Sequence, residues 1–216
     1  MKTGLTQETQ TIFSIIENAK LANNEMYFVY DLNVLDYYKL GDNYDSDLKK
    51  EVFKKTPEYV EKLEKLKKMK AEMLKTAYYI QQDNKFGDYD IKKKGFEIDF
   101  VSQEFYNPPK SIKMESNFFY LKSVPTKREP DPSFGSAIEK LFIPMDETNA
   151  LEVENNRSDI VIYYFFTLSG KEVVFFQATS PQLYAYNTKA SLLKSDKVRV
   201  VVANKSTGKI YYDKTF

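Results

Sequence analysis

The spacing between apolar residues changes once along this chain, at Thr76, and that change limits the folds open to it. From Thr56 to Thr76, Tyr59, Val60, Leu63, Leu66, Met69, Met73 and Leu74 recur every three or four residues, which lines one side of an α-helix. Thr56 can cap the helix, Pro57 takes its first position, and Glu58 complements the positive end of the helix dipole. Glu61–Lys65 and Glu64–Lys68 have the i,i+4 spacing of ion pairs. Beyond Thr76 the apolar residues alternate or gather in short blocks of Val, Ile, Tyr and Phe, which is the signature of strands. Helices first and strands after, without βαβ alternation, predict an α+β fold: N-terminal helices packed on one face of a largely antiparallel β-sheet.

Other segments follow the same logic. Thr6 can cap a helix carrying Ile12, Phe13, Ile16, Ala19 and Leu21, stopped at Asn23-Asn24. Met26-Tyr27-Phe28-Val29-Tyr30 is either a strand or the start of a second helix. Asp88–Ile91 and Phe96–Val101 flank Lys92-Lys93-Lys94-Gly95, a hairpin in which Gly95 is expected to take the left-handed conformation. Asn107-Pro108-Pro109 closes that unit, and Asn117–Val124 is a further strand. Pro125–Phe134 holds three prolines and reads as a loop. It divides the chain into 1–124, helical plus a first β-meander, and 135–216, β-rich, or else interrupts one continuous domain. Asp146 can cap a short helix. Asp159–Leu168 and Lys171–Ala178 are strands joined at Ser169-Gly170, and Lys197–Asn204 and Lys209–Asp213 form a hairpin around Ser206-Thr207-Gly208.

Two absences narrow the chemistry. The chain has no cysteine, so disulfides, thiolate nucleophiles and Cys-held metals are excluded. It has no histidine, which removes Ser–His–Asp triads, His proton shuttles and His metal ligands. Catalysis would fall to carboxylates, Lys, Tyr, Ser or Thr. Charge gives no direction: 32 Lys plus Arg stand against 31 Asp plus Glu. The lysines of the Thr56 helix are interleaved with glutamates, which is a solvated face, and no nucleic-acid partner is expected. No stretch approaches 18 apolar residues, so no membrane-spanning helix is expected. With seven glycines and no GxGxxG or GxxxxGK[ST], no phosphate cradle and no cofactor is expected. Asp83–Lys94 fails as a calcium loop, since Lys85, Gly87 and Lys94 stand at three ligand positions, and no metal is expected.

Two constellations remain. Asp88 with Asp90, and Glu97 with Asp99, each place two carboxylates on one strand face, as a glycosidase-like hydrolase would need; alternating acids are also an ordinary solvent face. Aromatic doublets recur at Tyr37-Tyr38, Tyr78-Tyr79, Phe118-Phe119, Tyr163-Tyr164, Phe165-Phe166, Phe175-Phe176 and Tyr211-Tyr212. A strand doublet puts one ring on each side of a sheet, so helices on one side would leave rings displayed on the other. Tyr163, Tyr184, Tyr186 and Tyr211, with Asp88 and Asp90, are therefore the expected ligand-binding residues. The function expected is a non-catalytic soluble module that binds a protein, a small molecule or a carbohydrate. The carboxylate-dependent hydrolase and a structural component of a cell-envelope complex are the alternatives.

The stretch Gly87-Asp88-Tyr89-Asp90-Ile91, three lysines, then Gly95-Phe96 resembles a hairpin motif of uncharacterised exported proteins of Gram-negative bacteria. The resemblance runs from the Thr56 helix through this hairpin and does not reach the C-terminal third. It implies a bacterial protein, periplasmic or secreted if a leader was removed and otherwise cytoplasmic, and it transfers no active-site residue.

Overall fold

The computed structural model describes residues 10–22, 26, 54–83, 86–99, 111–114, 117–121, 123–125, 127–130, 137–179 and 185–216; within 111–120, 127–139 and 172–192 it describes backbone only. In chain order the elements are α1 (Ile12–Ile16), β1 (Lys20–Leu21), α2 (Pro57–Met73), β2 (Tyr78–Asp83), β3 (Phe86–Asp90), β4 (Gly95–Asp99), β5 (Ser111–Met114), β6 (Asn117–Leu121), β7 (Lys127–Pro130) and β8 (Ala137–Pro144). They continue with α3 (Glu147–Asn155), β9 (Ile160–Phe166), β10 (Gly170–Thr179), β11 (Ala185–Ser195), β12 (Val198–Asn204) and β13 (Ile210–Thr215). Residues Met1–Leu21 with Ala77–Phe216 form one compact unit, and Ala22–Thr76 form another. The Pro125–Phe134 segment lies inside the first.

The smaller unit holds the helix that periodicity announces. Thr56 caps α2 through its hydroxyl, which accepts the Tyr59 N–H, and Pro57 opens the first turn. Tyr59 and Met73 are buried at its two ends, while Val60 and Met69 are exposed. Ion pairs along it include Glu58–Lys62, not among the expected ones, and Glu64–Lys67, in which Glu64 takes the lysine one place before the expected Lys68.

The larger unit is α+β with mostly antiparallel strands, spread over three sheets. Their orders are β1-β2-β9-β12-β13, β10-β11-β6-β5 and β3-β4-β8-β7, and among the described residues only β1/β2 and β11/β6 are parallel. Two expectations change here. The first helix ends at Ile16, because the Lys20 N–H is bound by the Ala77 carbonyl and Lys20–Leu21 pairs as a strand. Lys127–Pro130, expected as loop, is an edge strand on β8; an edge tolerates proline because its outward side needs no N–H.

The β9 sheet forms the core. Ile12 and Ile15 of α1 pack on Val161, Tyr163, Phe165, Val201 and Ala203. The opposite face, with Ile160, Ile162, Tyr164, Phe166, Val198, Val200 and Val202, is equally buried. Every β9 residue is buried, so this central strand is covered on both sides, with α1 on one of them. Burial raises the Tyr164 phenol well above its usual range, and its O–H donates to Gln82 Oε1 (3.0 Å). The Gln82 amide in turn donates to the Asp99 carbonyl.

Candidate functional site

The β3–β4 hairpin is short, bent and fastened at both ends. Its register runs Phe86↔Ile98, then Tyr89↔Phe96 and Asp90↔Gly95, so β3 carries one extra residue around Gly87-Asp88. Arg157, in the turn after α3, holds that bulge: its guanidinium donates to the carbonyls of Phe86 (3.2 Å) and Gly87 (3.1 Å). The same guanidinium binds both oxygens of Glu154 (2.5 and 2.7 Å), which lowers the Glu154 pKa and raises that of Arg157.

At the turn end, Asp90 Oδ1 accepts the N–H groups of Lys92 and Lys93, both at 2.9 Å. Tyr89 O–H donates to the Met145 carbonyl, and Met145 N–H donates to the Lys94 carbonyl, which ties the hairpin to the start of α3. Asp146 caps α3 through the Asn149 N–H, as its position in the sequence suggests. Lys94, not Gly95, takes the left-handed conformation, with φ of 53°. Gly95 is needed for closeness instead: a Cβ there would lie 2.4 Å from the Ile143 carbonyl oxygen and 2.5 Å from the Phe142 ring.

Alternation then sorts the side chains. Phe96, Ile98, Leu141 and Ile143 are buried on the inner face of this sheet. Glu97, Asp99 and Lys140 point the other way, Asp99 and Lys140 being directly opposed in register. With Phe86, Gly87, Asp88, Asp90 and Lys93 they line a basin of about 490 Å³. Both carboxylate pairs singled out in the sequence thus meet in one place.

Three of the four carboxylates lie beside a lysine. Lys93 Nζ lies 3.2 Å from Glu97 and 3.5 Å from Asp90, and Lys140 Nζ lies 3.8 Å from Asp99. The hydrogen bond to Glu97, then the charges of Glu97 and Asp90, raise the Lys93 pKa. The backbone N–H of Lys93 leads the effects that hold Asp90 below the usual carboxylate range. Asp88 forms no hydrogen bond or ion pair among the described residues, although it feels the Arg157 charge. Among the described residues no three acids come together as metal ligands. The basin can donate from two ammonium groups and accept at four carboxylates, but it holds Asp90 away from the protonated state that a general acid requires.

Tyr163 and Tyr211 do not line this site. Tyr163 is a correction: it is 4% exposed, its ring packed at 6.2 Å from those of Tyr79 and Phe165, because α1 covers its face of the sheet. It cannot be part of a displayed surface. Tyr211 is half-buried, with Lys209 Nζ 5.1 Å above its ring and Lys209 bound to Glu152, a separate cluster. Tyr186 pairs with Ala178 in the β10–β11 ladder, where only backbone is described, and Tyr184 lies outside the described residues. Sequence reasoning missed Lys93, Lys140 and Arg157. Lys93 stands four residues before Glu97 across the turn, which was a usable signal; Lys140 reaches the basin, and Arg157 the bulge in its wall, from far along the chain, and they left none. No protein-family model, curated protein or solved structure matches this chain.

Proposed function

We propose that this chain is a non-catalytic recognition module whose contact surface is the charged basin on the outer face of the β3–β4–β8 sheet. The observation that carries the reading is the internal pairing of the basin: Lys93 is shared by Asp90 and Glu97, and Lys140 faces Asp99. A hydrolase working with two acids needs one carboxyl that keeps its proton near neutral pH, and the turn N–H groups oppose that at Asp90. A basin of this size suits a small ligand or one side of a larger partner. Donors and acceptors of both signs suit a polar ligand bearing hydroxyl, ammonium or carboxylate groups, such as a carbohydrate or the side chains of a protein. Burial of Tyr163 and Tyr164 moves recognition from an aromatic surface to this polar one. The resemblance of residues 87–96 to exported bacterial proteins supports placement outside the cytoplasm.

The test is an amide NMR titration with a panel of neutral and aminated oligosaccharides and short peptides, run beside a hydrolysis assay on chromogenic glycosides. Shifts confined to residues 87–90, 93, 97–99 and 140, weakened in Asp88→Asn and Lys140→Gln, support the reading. Shifts mapping elsewhere overturn the site, and glycoside turnover lost in Asp88→Asn overturns its non-catalytic character.

A further inference from the structure

We propose that the tip of the β3–β4 hairpin, formed by Ile91, Lys92 and Lys94, docks on an anionic lipid surface. Ile91 is 74% exposed, the largest exposure of any large apolar side chain among the described residues. It stands in the turn between β3 and β4, left exposed by the described residues, and lysines follow it at the next three positions. A single exposed apolar residue is ordinary. One carried on a fixed turn and followed by free cations is a distinct combination.

The cations differ in their commitments. Lys93 is held by Asp90 and Glu97, whereas the side chains of Lys92 and Lys94 form no hydrogen bond or ion pair among the described residues. Of the acids near the tip, Asp90 and Glu97 are held by Lys93 and Asp146 by Asn149, whereas the side chains of Asp88 and Glu147 form no hydrogen bond or ion pair among the described residues, and none of these acids pairs with Lys92 or Lys94. Two ammonium groups are therefore left to meet an outside anion.

The turn is built to present them. Asp90 fixes the N–H groups of Lys92 and Lys93, Met145 fixes the Lys94 carbonyl, and Tyr89 fixes the Met145 carbonyl. Little order has to be gained on contact, which favours binding by so small a feature. Lys92 and Lys94 would pair with lipid phosphates while Ile91 enters the boundary between headgroups and acyl chains. An acidic protein surface would attract the lysines equally but would need a matching pocket for Ile91. The lipid boundary accepts it without one. This contact is peripheral and uses no lining residue of the basin, so it stands or falls separately from the recognition reading.

The experiment is sedimentation of the full chain with vesicles of phosphatidylcholine alone and of equal parts phosphatidylcholine and phosphatidylglycerol, at low and at raised salt. Binding is expected only with phosphatidylglycerol and only at low salt. Lys92→Gln and Lys94→Asn are each expected to weaken it about fivefold, and Ile91→Ser about tenfold. The control Lys75→Gln, which alters a lysine that is not part of the tip, should leave it unchanged. Absence of binding by the unaltered chain, equal binding to both vesicles, or equal losses in the tip variants and the control would overturn the proposal. So would retention by an immobilised acidic peptide, lost in Ile91→Ser, without retention by vesicles. Circular dichroism of each variant separates loss of contact from loss of fold.

Discussion

Lys94 and Gly95 divide between them the two demands that a single turn glycine was expected to meet. Lys94 accepts the left-handed backbone, which costs an L-residue roughly 1 kcal/mol, and Gly95 lets β4 approach β8 closely. The expected outcomes are opposite. Lys94→Gly should leave urea stability unchanged or raise it by up to about 1 kcal/mol, whereas Gly95→Ala should lower it by about 2 kcal/mol or more, because its Cβ meets backbone. A comparable loss in both would contradict the assignment. Sequence could locate this turn, since a glycine after three lysines between apolar runs is visible, but it could not tell conformational need from steric need. That distinction depends on the Ile143 carbonyl, which lies far along the chain. Tyr164 offers a second residue-scale test. Its folded pKa is raised above the ordinary tyrosine value of about 10, so its contribution to stability is intact below that pH and falls as pH rises beyond it. Urea midpoints should drop between about pH 9 and pH 11. Tyr164→Phe should start about 1 kcal/mol lower, through loss of the bond to Gln82, and decline less steeply. Parallel declines would contradict it.

At the scale of elements, legibility followed the range of the interactions. Helix α2 was readable because its cap, its proline and its stripe all lie between Thr56 and Leu74. The β12–β13 hairpin was readable for the same reason, with Gly208 at φ of 76° where the sequence marked the turn. Strand β7 was hidden because proline signals a loop and an edge strand alike. The early end of α1 was hidden because its cause, the Ala77 carbonyl, follows an entire separate unit. Arg157 is the strongest case, reaching back 70 and 71 residues to the β3 carbonyls. Arg157→Ala should therefore loosen the bulge: faster amide exchange at residues 86–89, with a stability loss of about 1–3 kcal/mol. Unchanged exchange there would mean that Arg157 does not position the basin wall.

For the whole molecule, the class was legible from the switch of period at Thr76, and the number of sheets was not. Alternation reports which residues share a face, but not which strands share a ladder, and three sheets give the same local pattern as one. The same limit misplaced Tyr163, since a doublet on a strand covered from both sides looks like a doublet on an open one. The division into units yields its own test. Leu21 ends β1 and Ala77 immediately precedes the neighbouring β2, the two joined by the Lys20–Ala77 hydrogen bond, so residues 22–76 leave and re-enter at nearly one place. Replacing 22–76 by a short Gly/Ser linker should preserve the strand signal in circular dichroism and one cooperative unfolding transition; loss of both would contradict an independent β unit. Recognition without catalysis is tested most directly by carboxyl-carbon NMR titration of Asp90 in the folded protein. Its midpoint should fall below the ordinary aspartate value of about 3.9, held there by the N–H groups of the turn. A midpoint of about 6 or above, the range of a working general acid, would contradict a purely binding basin.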